Sequence, residues 1–322
     1  MRIWPVPEIR LARFAMLDEF RPVALVTSPL AWEAVRDRLR LPVCWRAEPK
    51  QATQGNWDAL SEDLEGAVVY AVGGGLAADA AKYLAARHNL PLVCLPTALS
   101  VDAFFTWASG VRRDGCVYYL ETKPPDQVVI DWDVIAAAPP TIRAAGICDV
   151  LSIATGSWDW RFAEERGLNP PGMEYAAWAD QVAGSILHAA LDCADAAGHG
   201  DPAGLKQLLA CLVLETQLCN QLGHARPEEG SEHYFAYAVE DQADMGLSAG
   251  EGLPHGDLVG PGILLVAERQ GQDVVPLRRA LEACHVPLDR IPMRTVEATL
   301  RLLPEYVRRH RLPYGIAHEL DR

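Results

Sequence analysis

The sequence predicts a chain in two parts: an α/β half over residues 1–138 and an all-helical half over 139–322. Three observations carry this. Short apolar, β-branched runs alternate with helically spaced segments through the first part, the pattern of a parallel sheet with helices on both faces. After Pro139-Pro140 the periodicity is helical almost to the end. The 322 residues, 50% of them hydrophobic, exceed what one small core needs.

In order, residues 23–27 form a short apolar run stopped by Ser28-Pro29, and 30–40 carry the apolar spacing of a helix. A second short strand is expected at 43–45, a short helix at 57–64, a buried strand at 67–72, a helix at 76–87 and another buried strand at 92–95. Residues 111–119 read as a hairpin with Asp114-Gly115 at its turn, and 128–130 as one more strand. Helices are then expected over 141–165, 174–197, 203–222, 231–243, 258–270, 276–284 and 295–310.

Composition excludes several roles. A net charge of −14 is wrong for a nucleic-acid binder, although a local basic pocket can still hold a phosphorylated small molecule. The 8 cysteines show no CxxC pairing, and Cys94, Cys148 and Cys211 lie in apolar runs, which fits a reducing cytosol. The first residues carry Arg2, Glu8 and Arg10 among prolines, so no secretory signal is expected there, and no apolar stretch reaches bilayer length.

Three stretches carry chemistry. Gly73-Gly74-Gly75 separates a buried strand from a helix, where exposed amides and the lack of side chains let a pyrophosphate approach. Gly73, Gly75 and Ala78 meet the G-x-G-x-x-[GA] spacing, but a bare strand-to-helix turn would do so too, and the loop follows about the third strand rather than the first. Asp79 and Lys82, one turn apart, suit either a solvated pair or a contact with the cofactor. The second stretch is Pro96-Thr97-Ala98-Leu99-Ser100-Val101-Asp102. The third is dispersed: Asp149 in an apolar helix, His233 after Gly-Ser-Glu, and His255 in the turn Pro254-His255-Gly256-Asp257. One carboxylate and two imidazoles leave an open position on zinc or a related ion, as catalysis needs; either histidine alone is more often a satisfied core or surface group.

Taken in order over about residues 23–259, these stretches resemble the glycerol-1-phosphate dehydrogenases, within the dehydroquinate synthase-like and iron-containing alcohol dehydrogenase superfamily. The most specific matches are Pro96-Thr97…Ser100…Asp102, Ala138-Pro139, Gly146-Ile147-Cys148-Asp149, Trp158-Asp159-Trp160-Arg161, and Arg226-Pro227-Glu228-Glu229-Gly230-Ser231-Glu232-His233. The resemblance implies a dehydroquinate synthase-like fold: an N-terminal dinucleotide-binding domain and an all-α domain that binds metal and substrate. It implies NAD or NADP on Gly73, Gly74, Gly75, Asp79, Thr97, Ser100 and Thr106. A divalent metal, zinc foremost with nickel or iron accepting the same donors, would sit on Asp149, His233 and His255. Asp102 and Asp149 would face the substrate. A ketone such as dihydroxyacetone phosphate would interconvert with a secondary alcohol by hydride transfer, in a cytosolic homodimer or larger assembly whose partner is a small polyol or polyol phosphate.

The chain departs from that family at two places. Tyr237 stands where a second, substrate-facing histidine is usual, one turn after His233; as a catalytic candidate it can still hydrogen-bond or relay a proton, but it cannot carry positive charge toward a phosphate. Thr27-Ser28 stands where an acidic residue usually holds the adenosine ribose, which admits NADP beside NAD. The helical half is also short for the family. Three readings compete: a polyol dehydrogenase for unphosphorylated substrates, a sugar-phosphate cyclase-like lyase, and a diverged binding protein. The lysine-rich motif of dehydroquinate synthases is absent, which weighs against the lyase.

Overall fold

Six of the strands form one parallel sheet. The computed structural model describes residues 3–244 and 252–320. It divides into two units, Trp4–Arg143 and the chain from Ala144 onward. In the first unit the strands are β1 (Glu8–Leu11), β2 (Val23–Thr27), β3 (Val43–Ala47), β4 (Val68–Gly73), β5 (Leu92–Pro96), the hairpin β6 (Ala108–Arg113) and β7 (Cys116–Glu121), and β8 (Gln127–Ile130). Its helices are α1 (Pro29–Val35), α2 (Gln54–Glu62), α3 (Gly75–His88), α4 (Trp132–Ala137) and α5 (Pro140–Arg143). The sheet order is β1-β8-β5-β4-β2-β3, all parallel, and β6-β7 is a separate antiparallel pair.

β2, β4 and β5 are buried along their whole length, because helices cover both faces. One face builds a core of Phe14, Leu25, Val68, Tyr70, Val72 and Leu95. The order reverses at β2: the chain steps from β2 out to β3, then back across to β4 on the other side. The carboxyl ends of β2 and β4 are therefore the switch point where open α/β sheets bind ligands. At the hairpin, Asp114 and Gly115 both take positive φ, 53° and 73°, as a tight two-residue turn demands.

The edge strand β1 is absent from the sequence expectation because Glu8, Arg10 and Leu11 are exposed and the alternation is weak. Its presence makes the glycine loop follow the fourth strand in chain order. The boundary expected at 138 compares with a division after Arg143. Leu99 N–H donates to Arg143 O at 3.0 Å and Arg143 Nη2 to Ala138 O at 3.1 Å, tying α5 to the sheet unit.

The second unit holds α6 (Ile147–Leu151), α7 (Ile153–Glu165), α8 (Ala177–Gly198), α9 (Pro202–Leu222), α10 (Ser231–Asp244), α11 (His255–Arg269), α12 (Val275–Ala283) and α13 (Met293–Arg309). α8 and α9 form an antiparallel hairpin, and α10 packs on α11 and α13. The continuous helix expected over 141–165 is broken into α5, α6 and α7. Gly146 opens α6, and Ser152 ends it with its hydroxyl bonded back to Cys148 O at 2.9 Å. α10 and α11 cross closely at Gly262, where a Cβ would lie 2.7 Å from Glu232 O. All eight cysteines are free, and Cys44 on β3 is the exposed one. No helix among the described residues is long and apolar enough to cross a membrane.

Candidate active site

Asp149 on α6, His233 in the first turn of α10 and His255 at the start of α11 each offer one donor atom, all within 4.8 Å of one another. Three residues spread over more than a hundred positions thus converge within the helical unit. Asp149 and His233 are buried and His255 half-buried. His255 Nε2 lies 3.5 Å from Asp149 Oδ1, and the two imidazole centroids are 5.3 Å apart.

Local sequence explains the placement. Glu232 is fully buried, and its Oε1 accepts from Gly230 N–H at 2.7 Å and from His233 Nδ1–H at 3.0 Å. The carboxylate thus organises the turn that opens α10 and holds a proton on His233 Nδ1, which leaves Nε2 as the nitrogen that binds a cation when the cation displaces its proton. Burial opposes a charged His233 ring, but the Glu232 bond and the charges of Glu232, Glu229 and Asp149 outweigh it and hold its pKa up to about 9. Three carboxylates around the ring create a field that favours a cation. A donor set of two neutral nitrogens and one carboxylate oxygen suits a divalent first-row ion and leaves room for a further ligand.

Tyr237 lies one turn beyond His233, with ring centroids 6.0 Å apart. Its hydroxyl donates to Glu229 Oε1 at 3.0 Å, so a neutral donor on a carboxylate occupies the place expected for a second imidazole.

In the sheet unit, Gly74 caps the amino end of α3, a fourteen-residue helix, and Gly73 takes φ +141°. A Cβ on Gly75 would lie 3.1 Å from Val101 Cγ2, and one on Gly74 3.8 Å from Ser100 Oγ. Thr97 N–H donates to Gly73 O at 3.3 Å. The loop after β5 therefore lies against the loop after β4, and Gly73, Gly74, Gly75, Thr97 and Ser100 form one cradle. Ser28 borders it: its Oγ lies 3.6 Å from a Cβ built on Gly73. Asp102 opens the short helical turn 102–104 that follows.

Asp79 and Thr106 meet at Lys82. Lys82 Nζ is fully buried and lies 2.9 Å from Asp79 Oδ1 and 2.9 Å from Thr106 Oγ1, with Ala108 O as a third partner. The pair is not solvated; it fastens α3 to the start of β6. Sequence reasoning missed Lys82's role because an i,i+3 charge pair usually marks an exposed face.

In the sequence Asp159, on α7, stands out only as part of the run Trp158-Asp159-Trp160-Arg161. It is fully buried and accepts four hydrogen bonds from Ser231, Gln270 and Ile316. Burial pushes its carboxyl pKa up, to about 6, despite the Ser231 bond.

Residues 11–139 match the family described as iron-containing alcohol dehydrogenase. A protein from Methanothrix thermoacetophila named glycerol-1-phosphate dehydrogenase [NAD(P)+] is 27% identical over 240 residues, 74% of this chain and 65% of its own length. One of the same name from Sulfurisphaera tokodaii is 28% identical over 274 residues, covering 83% and 75% of the two chains. The match therefore spans a little under two thirds of the Methanothrix protein. A crystal structure of a probable glycerol dehydrogenase from Sinorhizobium meliloti superposes with a TM-score of 0.69 at 20% identity, over 95% of this chain and 90% of that one. A sulfoacetaldehyde reductase from Bifidobacterium kashiwanohense, solved with NAD+, gives 0.66 at 18% identity over 100% and 97%. These likenesses establish the fold: an α/β part and a helical part.

Proposed function

We propose, from the iron-containing alcohol dehydrogenase family domain that this chain carries, that it is a metal-dependent, nicotinamide-linked oxidoreductase interconverting a ketone and a secondary alcohol. The observation that carries this reading is the convergence of Asp149, His233 and His255 donor atoms within 4.8 Å. The donor set fits a divalent cation, and zinc is the first candidate. Its relatives' name supports dihydroxyacetone phosphate and sn-glycerol 1-phosphate as the substrate pair.

The bound cation would polarise the substrate oxygen, and the nicotinamide would carry the hydride. The protein's own residues position and balance charge. Asp149, His233 and His255 would hold the cation, and Glu232 would keep His233 Nδ1 protonated so that Nε2 faces it. Tyr237, held by Glu229, would orient a substrate hydroxyl. Gly73, Gly74, Gly75, Thr97 and Ser100 would receive the dinucleotide phosphates, with Asp79 and Thr106 bracing that loop and Asp102 meeting the substrate. Without a carboxylate at Ser28, both NAD and NADP are acceptable cofactors. We assign the reaction to a reducing compartment, in keeping with eight free cysteines, and to a homo-oligomer.

A second reading, oxidation of an unphosphorylated polyol, is favoured by Tyr237, which offers no positive charge to a phosphate. The test is a panel of polyols and polyol phosphates, including dihydroxyacetone phosphate, with NADH and NADPH and added zinc. Reduction of dihydroxyacetone phosphate, lost in His233→Ala and His255→Ala with the fold intact, is the expected result. Full turnover in the double variant overturns the metal-dependent mechanism, and turnover of free polyols alone selects the second reading.

A further inference from the structure

The geometry points to Asp159 as a positioning residue for the metal centre, joining the helices that carry all three donor residues and closing the joint with the chain's C-terminal segment. This rests on the reading of Asp149, His233 and His255 as metal ligands. Asp159 lies on α7, which follows directly from α6 and Asp149. Its Oδ2 accepts from Ser231 N–H at 2.8 Å and from Ser231 Oγ at 2.5 Å. Ser231 is the first residue of α10, two before His233. Its Oδ1 accepts from Gln270 Nε2 at 3.0 Å. Gln270 caps the carboxyl end of α11, the helix that His255 begins, and also donates to Thr155 O at 3.0 Å. The same Oδ1 accepts from Ile316 N–H at 2.8 Å, and Ser231 Oγ accepts from Ala317 N–H at 2.9 Å.

One buried carboxylate is thus shared by four donors from three separate segments. The approach is close enough to exclude side chains: a Cβ on Gly315 would lie 2.2 Å from Asp159 Oδ2, and one on Gly230 2.9 Å from it. The C-terminal segment is held from outside as well, by Arg226 Nη2 to Tyr314 O at 2.8 Å and Arg308 Nη2 to His318 O at 2.7 Å. A buried charge so fully bonded is costly to disturb, and its partners sit where small shifts move ligand atoms. Loosening the Ser231 end would free the first turn of α10, and loosening the Gln270 end would let α11 slide along its axis.

The experiment uses the full chain, stripped by a chelator and reloaded with zinc or cobalt(II). Wild type, Asp159→Asn, Ser231→Ala and Gln270→Ala are compared for metal dissociation constant by chelator competition, and for the visible spectrum of bound cobalt. The expected result is folded variants that bind metal about 10- to 100-fold more weakly for Asp159→Asn, less so for the other two, with an altered cobalt spectrum. Asp159→Glu should fail to rescue, since the added methylene displaces the oxygens. If Asp159→Asn does not fold, Ser231→Ala and Gln270→Ala carry the test. Folded variants with wild-type affinity and spectrum overturn the proposal. A wild type that takes up no metal, or His233→Ala binding as tightly as wild type, would instead refute the ligand reading and remove the premise.

Discussion

Glu232 and His233 are neighbours in sequence and bonded to each other: 3.0 Å separates Glu232 Oε1 from His233 Nδ1. Adjacent residues on a helix seldom face each other, and this contact exists because Glu232 folds back to the Gly230 amide at the helix start. The arrangement makes one residue a candidate ligand and its neighbour the group that orients it.

Glu232→Gln keeps an acceptor for both N–H groups but removes the charge. Metal affinity is expected to fall about tenfold, with melting temperature little changed. Chelator competition measures it. Affinity equal to wild type would show that the charge of Glu232 contributes nothing to the centre.

Gly73→Ala forces a Cβ into φ +141° and to 3.2 Å from Ala31 Cβ. The strain should cost about 1–3 kcal/mol of stability. Because the loop it opens is the proposed phosphate cradle, titration calorimetry should show NADH and NADPH binding at least several-fold weaker. Unimpaired binding of both would place the dinucleotide elsewhere.

Lys82→Met leaves the Asp79 carboxylate without its buried partner at 2.9 Å. We expect a loss of about 3–5 kcal/mol, and early hydrogen exchange in β6 and β7, which Lys82 fastens to α3. Adding Asp79→Asn should recover part of the loss, since an uncharged amide is cheaper to bury than a lone carboxylate. Equal stability of the single variant and wild type, by denaturant titration, would deny the pair its structural role.

Acid should destabilise the helical unit through two histidines. Burial holds His318 down at about 4, with Arg308 and Arg226 adding to it, and burial with Arg226 holds His224 at about 4. The unfolded chain, with histidines near 6.5, takes up more protons than the folded one between pH 6.5 and 4. Stability therefore falls as pH drops through that window. Asp159 opposes this: its folded pKa of about 6 exceeds the ordinary 3.8, so its contribution is lost as pH rises between those values. His318→Gln should flatten the acid loss by about 1–3 kcal/mol relative to wild type, read from denaturant midpoints across pH. An unchanged slope would mean that His318 is protonated when folded.

Much of this was legible in the amino-acid order, for specific reasons. β2, β4 and β5 announced themselves because strands buried on both faces are continuous apolar runs, and Asp114-Gly115 marked a turn that few other pairs can make. The convergence of Asp149, His233 and His255 follows from motif context around each residue, not from spacing, since no local rule links positions 149, 233 and 255. What stayed hidden was contact between distant polar groups. Nothing near Asp159 in the chain foretells that Gln270 and Ile316 donate to it, and Lys82 resembles any surface lysine until β6 covers it. β1 went unseen because an exposed edge strand needs no apolar alternation.

Cys44 has a practical consequence. Its sulfur is exposed on β3, while Cys94, Cys148 and Cys284 are buried and burial pushes their thiols far from reactivity. A maleimide dye applied briefly at neutral pH should therefore settle first on β3, giving the sheet unit a fluorescent reporter without prior mutagenesis.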